Sequence, residues 1–239
     1  MSATCIMNEC EIFTESVRIR SGEDELAGEL GYAMRKPLLA CALFNPHPFM
    51  GGQMENNVIR ELARSLATEQ AITLRFDYSG VGGSSGSRTD VASAMLSFWE
   101  TGRAPQDPKM IADARAAATW LHSATQKPMV LIGYSFGSHV ATQVVDDRTI
   151  GLVLIAPTLK QHDFSALSAC KLPKLIIYSD NDFATPRGMI ESWIQTLQNV
   201  QSLCIEGGEH FFKQKESQIA QTCAAFLRSP TIREQATCQ

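Results

Sequence analysis

The sequence predicts a single α/β domain with a mostly parallel central sheet, helices on both faces and an N-terminal antiparallel hairpin. Short apolar runs rich in β-forming residues alternate with segments in which apolar residues recur at helical spacing. The runs are apolar almost throughout, which is typical of parallel strands covered on both faces. The chain has 239 residues, of which 44% are hydrophobic and 19% charged. It can therefore bury one sizeable core and is too apolar to be largely disordered.

The hairpin comes first along the chain. Residues 12–20 and 25–32 alternate between apolar and polar positions, and the turn-forming residues 21–24 separate them, so we expect this pair at one edge of the sheet. Buried strands are expected at 38–44, 71–76, 129–132, 152–155 and 175–178, and a further short strand at 200–205. Apolar stripes predict helices around 58–66, 111–121, 189–197 and 219–227.

The chain contains no internal repeat and no domain linker, so we predict one domain over 1–239, with frayed ends at about 1–10 and 229–239. Its longest irregular stretch, 79–108, is rich in Gly and Ser and includes the apolar segment 91–99. A connection of this length is usually functional or mobile. Two interpretations of residues 84–107 stay open, namely a partial lid over a site and a surface loop with one short packed helix.

Charge and cysteine content exclude several classes of function. The 21 basic and 25 acidic residues give a net charge of −4 without long runs of one sign, which argues against a nucleic-acid partner. We expect a cytoplasmic protein with no membrane partner, because signal-peptide features and long apolar runs are absent. The seven cysteines are dispersed without C-x-x-C or zinc-ligand spacing, as for reduced thiols. Neither nucleotide-binding fingerprint, G-x-G-x-x-G or G-K-[ST], is present.

A G-x-S-x-G motif identifies the candidate nucleophile. The strand at 129–132 leads directly into Gly133-Tyr134-Ser135-Phe136-Gly137 and then into a helical stretch. A serine on such a tight turn adopts a strained backbone conformation and needs small neighbours, which the two flanking glycines provide. The following helix directs its N-terminal amides toward the point where negative charge develops in acyl transfer. This context predicts Ser135 as a nucleophile.

A nucleophilic serine requires a base and an orienting acid. The strand at 175–178 is followed by Asp180 and Asp182, and the strand at 200–205 is followed by His210. Asp163, which follows the strand at 152–155, is a more remote acid candidate. The residues alone leave the choice of acid open, since Asp is also common in tight turns.

From about Ile12 to Leu227, the chain resembles the α/β-hydrolase superfamily and, within it, small bacterial serine hydrolases near the dienelactone-hydrolase-like proteins. Its order Ser, Asp, His is the order in that topology. Residues 45–52 resemble the superfamily's oxyanion loop. Residues 75–84 resemble its D-x-R-G-x-G-x-S turn, with Ser79 where arginine is usual. Dienelactone hydrolases proper carry cysteine at the elbow, so the serine here argues against copying their substrate.

The resemblance implies a role for each matched residue. Ser135 would be the nucleophile and His210 the general base. The acid would be Asp182, because the segment from Asp182 to Pro186 matches the superfamily's D-x-x-V-P, with Asp180 and Asp163 as rivals.

The backbone amides of Phe136 and Phe49 would form the oxyanion hole, since Pro48 has no amide hydrogen. His122 and His162 have no motif around them and are expected at the surface. Substrate contacts are expected from four residues in or near these motifs and in the segment 91–99: His47, Met50, Tyr134 and Trp99.

The expected reaction is attack of Ser135 on an ester carbonyl to form an acyl-enzyme that water hydrolyses, with no metal or organic cofactor. Residues 158–172, where caps are commonly inserted in this fold, are few, so we expect little or no cap and an open pocket for small or extended acyl groups. A thioesterase or a peptidase would use the same triad. A non-catalytic binding protein with this fold is a third alternative.

Overall fold

An eight-stranded sheet forms the centre of the molecule in the computed structural model, which describes residues 11–88, 90–101, 104 and 106–237, without the side chains of 91, 93, 99 and 101. The strands are β1 (Ile12–Ser21), β2 (Asp24–Ala33), β3 (Leu39–Phe44), β4 (Ala71–Phe76), β5 (Met129–Tyr134), β6 (Thr149–Ile155), β7 (Lys174–Asn181) and β8 (Val200–Glu209). The helices are α1 (Asn57–Ala67), α2 (Val91–Thr101), α3 (Asp107–Thr125), α4 (Phe136–Gln143), α5 (Arg187–Ile194), α6 (Glu216–Arg228) and α7 (Pro230–Thr237).

The strand order is β1-β2-β4-β3-β5-β6-β7-β8. The β1–β2 and β2–β4 pairs are antiparallel, and every pair from β4 across to β8 is parallel. This arrangement confirms the predicted mostly parallel sheet and the hairpin at its edge. Because β5, β6, β7 and β8 are parallel neighbours, the residues that follow them meet at one edge of the sheet.

Two apolar layers cover the sheet because side chains alternate between its faces. In β5, Met129 and Leu131 join the layer beneath α3, α4 and α5. Val130, Ile132 and Tyr134 join the layer beneath α1, α6 and α7. The continuous apolar character of the predicted strands follows from this double burial.

The predicted fraying of residues 229–239 is wrong for Pro230–Thr237, which form α7. Ile232 is fully buried in this helix and packs over β6. Gly151 of β6 leaves room for it, since a Cβ there would lie 2.7 Å from Ile232 Cδ1. Burial of this one apolar side chain anchors a segment that looks polar in sequence. Residues 1–10, predicted to fray, lie outside the described residues.

The turn after β4 is held by a buried carboxylate. Asp113 of α3 is fully buried and accepts hydrogen bonds from Ser21 Oγ at 2.6 Å and from the Ser79 amide at 2.8 Å. Lys109 Nζ lies 2.6 Å from the same carboxylate and donates to Ser79 Oγ at 2.7 Å. Lys109 therefore contacts both Ser79 and the buried carboxylate that holds this turn.

We expect Asp113→Ala to lower the free energy of unfolding by about 3 kcal/mol, because it leaves a buried hydroxyl and a backbone amide without their acceptor. Urea denaturation of the variant measures this loss. Asp24→Asn is the matched control, because Asp24 contacts the same Lys109 at 3.0 Å but from a partly exposed position. A loss no larger than that of the control would contradict the structural role of Asp113.

Candidate active site

Ser135 occupies the sharp turn between β5 and α4. Its backbone has φ +56° and ψ −118°, a conformation that costs free energy for a residue with a side chain. A Cβ at Gly133 would lie 2.0 Å from the Gly137 carbonyl oxygen, and one at Gly137 would lie 2.0 Å from the carbonyl oxygen of Phe44. Only glycine fits at these two positions, which is why the motif has glycine there.

Three predicted residues form one chain of hydrogen-bond contacts. Ser135 Oγ lies 2.9 Å from His210 Nε2, and His210 Nδ1 lies 2.8 Å from Asp182 Oδ2 and 2.9 Å from Asp182 Oδ1. The side chains of His210 and Asp182 are only 4% and 2% exposed. A buried carboxylate beside Nδ1 places the proton of a neutral imidazole on that nitrogen, which leaves Nε2 as an acceptor facing the serine hydroxyl.

The contacts of the three candidate acids distinguish Asp182 from Asp180 and Asp163. Asp182 Oδ1 also accepts hydrogen bonds from the amides of Ala184 at 2.7 Å and Thr185 at 3.3 Å, which fix the carboxylate. Asp180 is exposed and accepts from the Gly207 amide, and Asp163 is exposed and accepts from the Ser165 amide. The structure therefore brings Asp182 to His210 and engages both rivals elsewhere.

The two predicted oxyanion donors lie in the elbow and in the loop after β3. Phe136 is the first residue of α4, where amides have no partner within the helix. Phe49 lies in a short 3-10 turn, Pro48–Met50, capped by His47. The His47 ring contacts the Phe49 ring at a centroid distance of 3.9 Å and the Phe136 ring at 5.1 Å. His47 thus lies against both residues.

A cavity of about 320 Å³ opens at Ser135 and His210. Its apolar lining comes from the loop after β3, the elbow, the segment after β7, helix α2 and the residue Ala104 beyond that helix: Phe49, Met50, Met95, Phe98, Ala104, Phe136, Phe183 and Ala184. Its other lining residues are polar: His47, Asp107, Thr158, Lys160, Gln161 and His162. An apolar cavity with a few polar groups is typical of a small-molecule site.

Helix α2 borders this cavity, as predicted for the apolar segment 91–99. Met95 and Phe98 line the cavity, and the Phe98 ring lies 5.1 Å from that of Phe49. Trp99 belongs to the same helix, but its side chain lies outside the described residues. Its predicted substrate contact stays a prediction, and both interpretations of 84–107, as a partial lid and as a surface loop with one short packed helix, stay open.

Two predictions about individual side chains differ from the structure. Tyr134, expected to contact substrate, is only 2% exposed and is absent from the described lining of the cavity. Its hydroxyl donates to the His210 carbonyl at 2.8 Å, so it supports the segment that carries the histidine. The alternation of side chains along β5 already indicates that Tyr134 is buried, since it shares a face of the sheet with Val130 and Ile132.

His162, expected at the surface, instead lines the cavity. Its Nδ1 lies 2.8 Å from Thr158 Oγ1, and its ring stacks on His139 at 4.7 Å. Burial and, next, the neighbouring His139 lower the pKa of His162 to about 4, so the ring is neutral at neutral pH. No motif surrounds His162, so only the path of the chain after β6 reveals its position.

Within the described part of the chain, no group of three or more His, Cys, Asp or Glu side chains is arranged to hold a metal ion. No helix in that part is long and apolar enough to cross a membrane.

Comparison with known proteins identifies a family. The family model for serine aminopeptidase S33 matches residues 49–170, just over half of the chain. An uncharacterized protein of Rickettsia prowazekii is 27% identical over 218 residues, which cover 86% of this chain and 85% of that protein.

Two solved structures share the fold. A serine hydrolase homologue from Coxiella burnetii superposes with a TM-score of 0.76 at 24% identity, covering 89% of this chain and 97% of the other. A serine hydrolase without a lid from Xanthomonas campestris gives a TM-score of 0.73 at 22% identity, covering 90% and 94%. Both are described as α/β proteins, in agreement with the predicted superfamily fold.

Proposed function

This chain belongs to the serine aminopeptidase S33 family of hydrolases, and we propose that it cleaves esters of small or extended acyl groups with Ser135 as the nucleophile. The observation that carries the proposal is the unbroken contact chain from Ser135 Oγ through His210 to the Asp182 carboxylate, at 2.9 and 2.8 Å, beside an apolar cavity. A hydroxyl is a weak nucleophile unless a base removes its proton, and this arrangement supplies the base.

In the proposed reaction, His210 Nε2 accepts the Ser135 proton as Oγ attacks the acyl carbonyl. Asp182 stabilises the imidazolium that forms and holds the ring in the required tautomer. His210 then donates the proton to the leaving alcohol, which departs and leaves an acyl-enzyme. Water then attacks the acyl carbonyl while His210 Nε2 takes its proton. The resulting tetrahedral intermediate collapses as the bond to Ser135 Oγ breaks and His210 returns the proton to Oγ, which releases the acid and restores the hydroxyl.

The oxyanion of each tetrahedral intermediate would be stabilised by backbone amides of Phe136 and Phe49. The Phe136 amide belongs to the first turn of α4, whose dipole favours negative charge at this end. The Phe49 amide lies 3.4 Å from His47 Nδ1, a distance so long that this contact competes weakly with an oxyanion. Loss of one such donor typically lowers kcat by about a hundredfold or more.

The cavity supports an acyl group that is mainly apolar. Four phenyl rings and two methionine side chains line it, and Phe183 lies against the His210 ring at 4.8 Å. In the proposed reaction the leaving oxygen lies within reach of His210 Nε2, which protonates it, and the acyl group occupies the apolar part of the cavity lined by Phe49 and α2.

A peptidase activity is the second candidate, because the family description names an aminopeptidase. A thioesterase would also use the same groups. Initial rates on a panel of p-nitrophenyl esters of different acyl length, acyl thioesters and aminoacyl p-nitroanilides separate the three. We expect the esters to be cleaved with the largest kcat/KM. Preferential cleavage of the anilides would assign the site to amide bonds instead.

A fluorophosphonate probe tests the nucleophile directly. We expect one equivalent to attach to Ser135 and to inactivate the enzyme, because only a serine with a contacting base is activated. Ser135→Ala is the control, and peptide mass mapping locates the label. A folded protein that takes up no label and turns over no substrate in the panel would be a binding protein with this fold. Labelling that persists in Ser135→Ala would move the nucleophile elsewhere.

A further inference from the structure

Among the polar residues that line the cavity, His47 and Asp107 form a largely buried pair. His47 Nε2 lies 3.4 Å from Asp107 Oδ1, and the two side chains are 5% and 15% exposed. Both residues line the cavity. Their contact lacks hydrogen-bond geometry, and neither atom has another hydrogen-bond partner among the described residues. Buried polar atoms without partners are costly and rare, so this pair calls for a ligand group. We name the pair His47 Nε2 and Asp107 Oδ1 the polar corner.

The surrounding contacts define what each atom can do. The Asp107 carboxylate, 3.4 Å from His47 Nε2, favours a proton on that nitrogen, and the long contact from the Phe49 amide to Nδ1 agrees with this tautomer. The other carboxylate oxygen of Asp107, Oδ2, accepts from the Ala104 amide at 3.2 Å, which leaves Oδ1 as a free acceptor. The polar corner therefore presents one hydrogen-bond donor beside one acceptor.

The polar corner adjoins the part of the cavity that the proposed reaction assigns to the acyl group. The His47 ring contacts Phe49 and Phe136, the proposed oxyanion donors, whereas the leaving group has to remain within reach of His210. Asp107 begins α3, the helix that follows the cavity-lining α2. A group that reaches the polar corner is thus attached to the acyl chain.

We propose that the polar corner binds a hydroxyl group carried by the acyl part of the substrate, so that the substrate class is esters of hydroxylated apolar acids. The proposal rests on the proposed esterase function. A hydroxyl oxygen accepts from Nε2–H and donates its own proton to Oδ1, which completes both missing hydrogen bonds at about 2.8 Å each.

Other polar groups fit the polar corner less well. An ammonium group has only donors and would face the Nε2 proton of His47 with its positive charge. A carboxylate would be repelled by Asp107 and would leave Oδ1 unsatisfied. A methyl or methylene group at this point would leave both buried atoms unpaired, and sites built to bind a hydroxyl reject such analogues strongly.

The test compares matched p-nitrophenyl esters that differ only in one hydroxyl: phenylpropanoate with p-hydroxyphenylpropanoate, and octanoate with ω-hydroxyoctanoate. For wild-type protein we expect the better hydroxylated ester to have a kcat/KM roughly ten- to a hundredfold above its unhydroxylated partner, the range expected for hydrogen bonds to a charged group. Asp107→Ala and His47→Phe should each reduce this ratio to near one. His47→Phe keeps an aromatic ring against Phe49 and Phe136.

The ratio cancels any general loss of activity that a variant causes, because both esters share the leaving group and the elbow. Lys160→Ala is the matched control, since Lys160 also lines the cavity but is exposed, and it should keep the wild-type ratio. If either variant fails to fold, Asp107→Asn, which removes the charge with little change of shape, should lower the ratio.

Three results would overturn either the hydroxyl site at the polar corner or the proposed esterase function on which it rests. A wild-type ratio near one in both ester pairs overturns the hydroxyl site while leaving the esterase function intact. A high ratio that persists in Asp107→Ala and His47→Phe places hydroxyl recognition elsewhere. Absence of hydrolysis of every ester, together with absence of fluorophosphonate labelling, instead overturns the proposed function and the substrate class with it.

Discussion

Replacement of His210 by alanine is expected to lower kcat for ester hydrolysis by at least about ten-thousandfold, because Ser135 then has no base for its proton. His210 Nε2 is the nitrogen that contacts Ser135 Oγ, at 2.9 Å, and residual turnover would come only from binding and the oxyanion amides. The measurement is kcat and KM on the best ester of the panel, with circular dichroism to verify folding.

His47→Ala is the matched control for this prediction, because His47 lines the same cavity but contacts Asp107 and Phe49 rather than Ser135. We expect it to retain a measurable rate, lowered through a less ordered oxyanion loop. If His47→Ala were inactive while His210→Ala turned over normally, His47 would have to be the base.

The second large effect is expected for Asp182→Asn, which should lower kcat by at least about a hundredfold. An asparagine can turn its amide group toward Nδ1, which favours the tautomer with the proton on Nε2 and leaves that nitrogen unable to accept the serine proton. Because this substitution keeps the size of the side chain and an oxygen for the Ala184 and Thr185 amides, we expect little change in KM.

Asp180→Asn provides the comparison, since Asp180 lies two residues away, is exposed and contacts the Gly207 amide. It should leave kcat within a few-fold of wild type. Equal and small effects of the two substitutions would remove Asp182 from the mechanism and return attention to Asp163 or to catalysis without an orienting acid.

The sequence by itself determined the sheet and the elbow, because both depend on local patterns. β4 was predicted at its observed bounds, 71–76, since its apolar run stands between turn residues. Glycine is required at 133 and 137 because a Cβ there would lie 2.0 Å from a carbonyl oxygen of the turn or of the neighbouring strand. The motif therefore predicts the geometry of this turn directly. Strand ends were less predictable: β8 continues to Glu209 because its polar end still pairs with Asn181.

Only the tertiary structure decided which distant side chains meet. Ser79 and Lys109 lie thirty residues apart, and no local pattern indicates that their side chains form a hydrogen bond. His47 and Asp107 meet because the segment containing α2 packs against the loop after β3, and a composition of Gly, Ser and Pro does not encode that path. Periodicity specifies which face of an element is apolar, whereas the packing of several elements together determines which polar atoms meet inside the cavity.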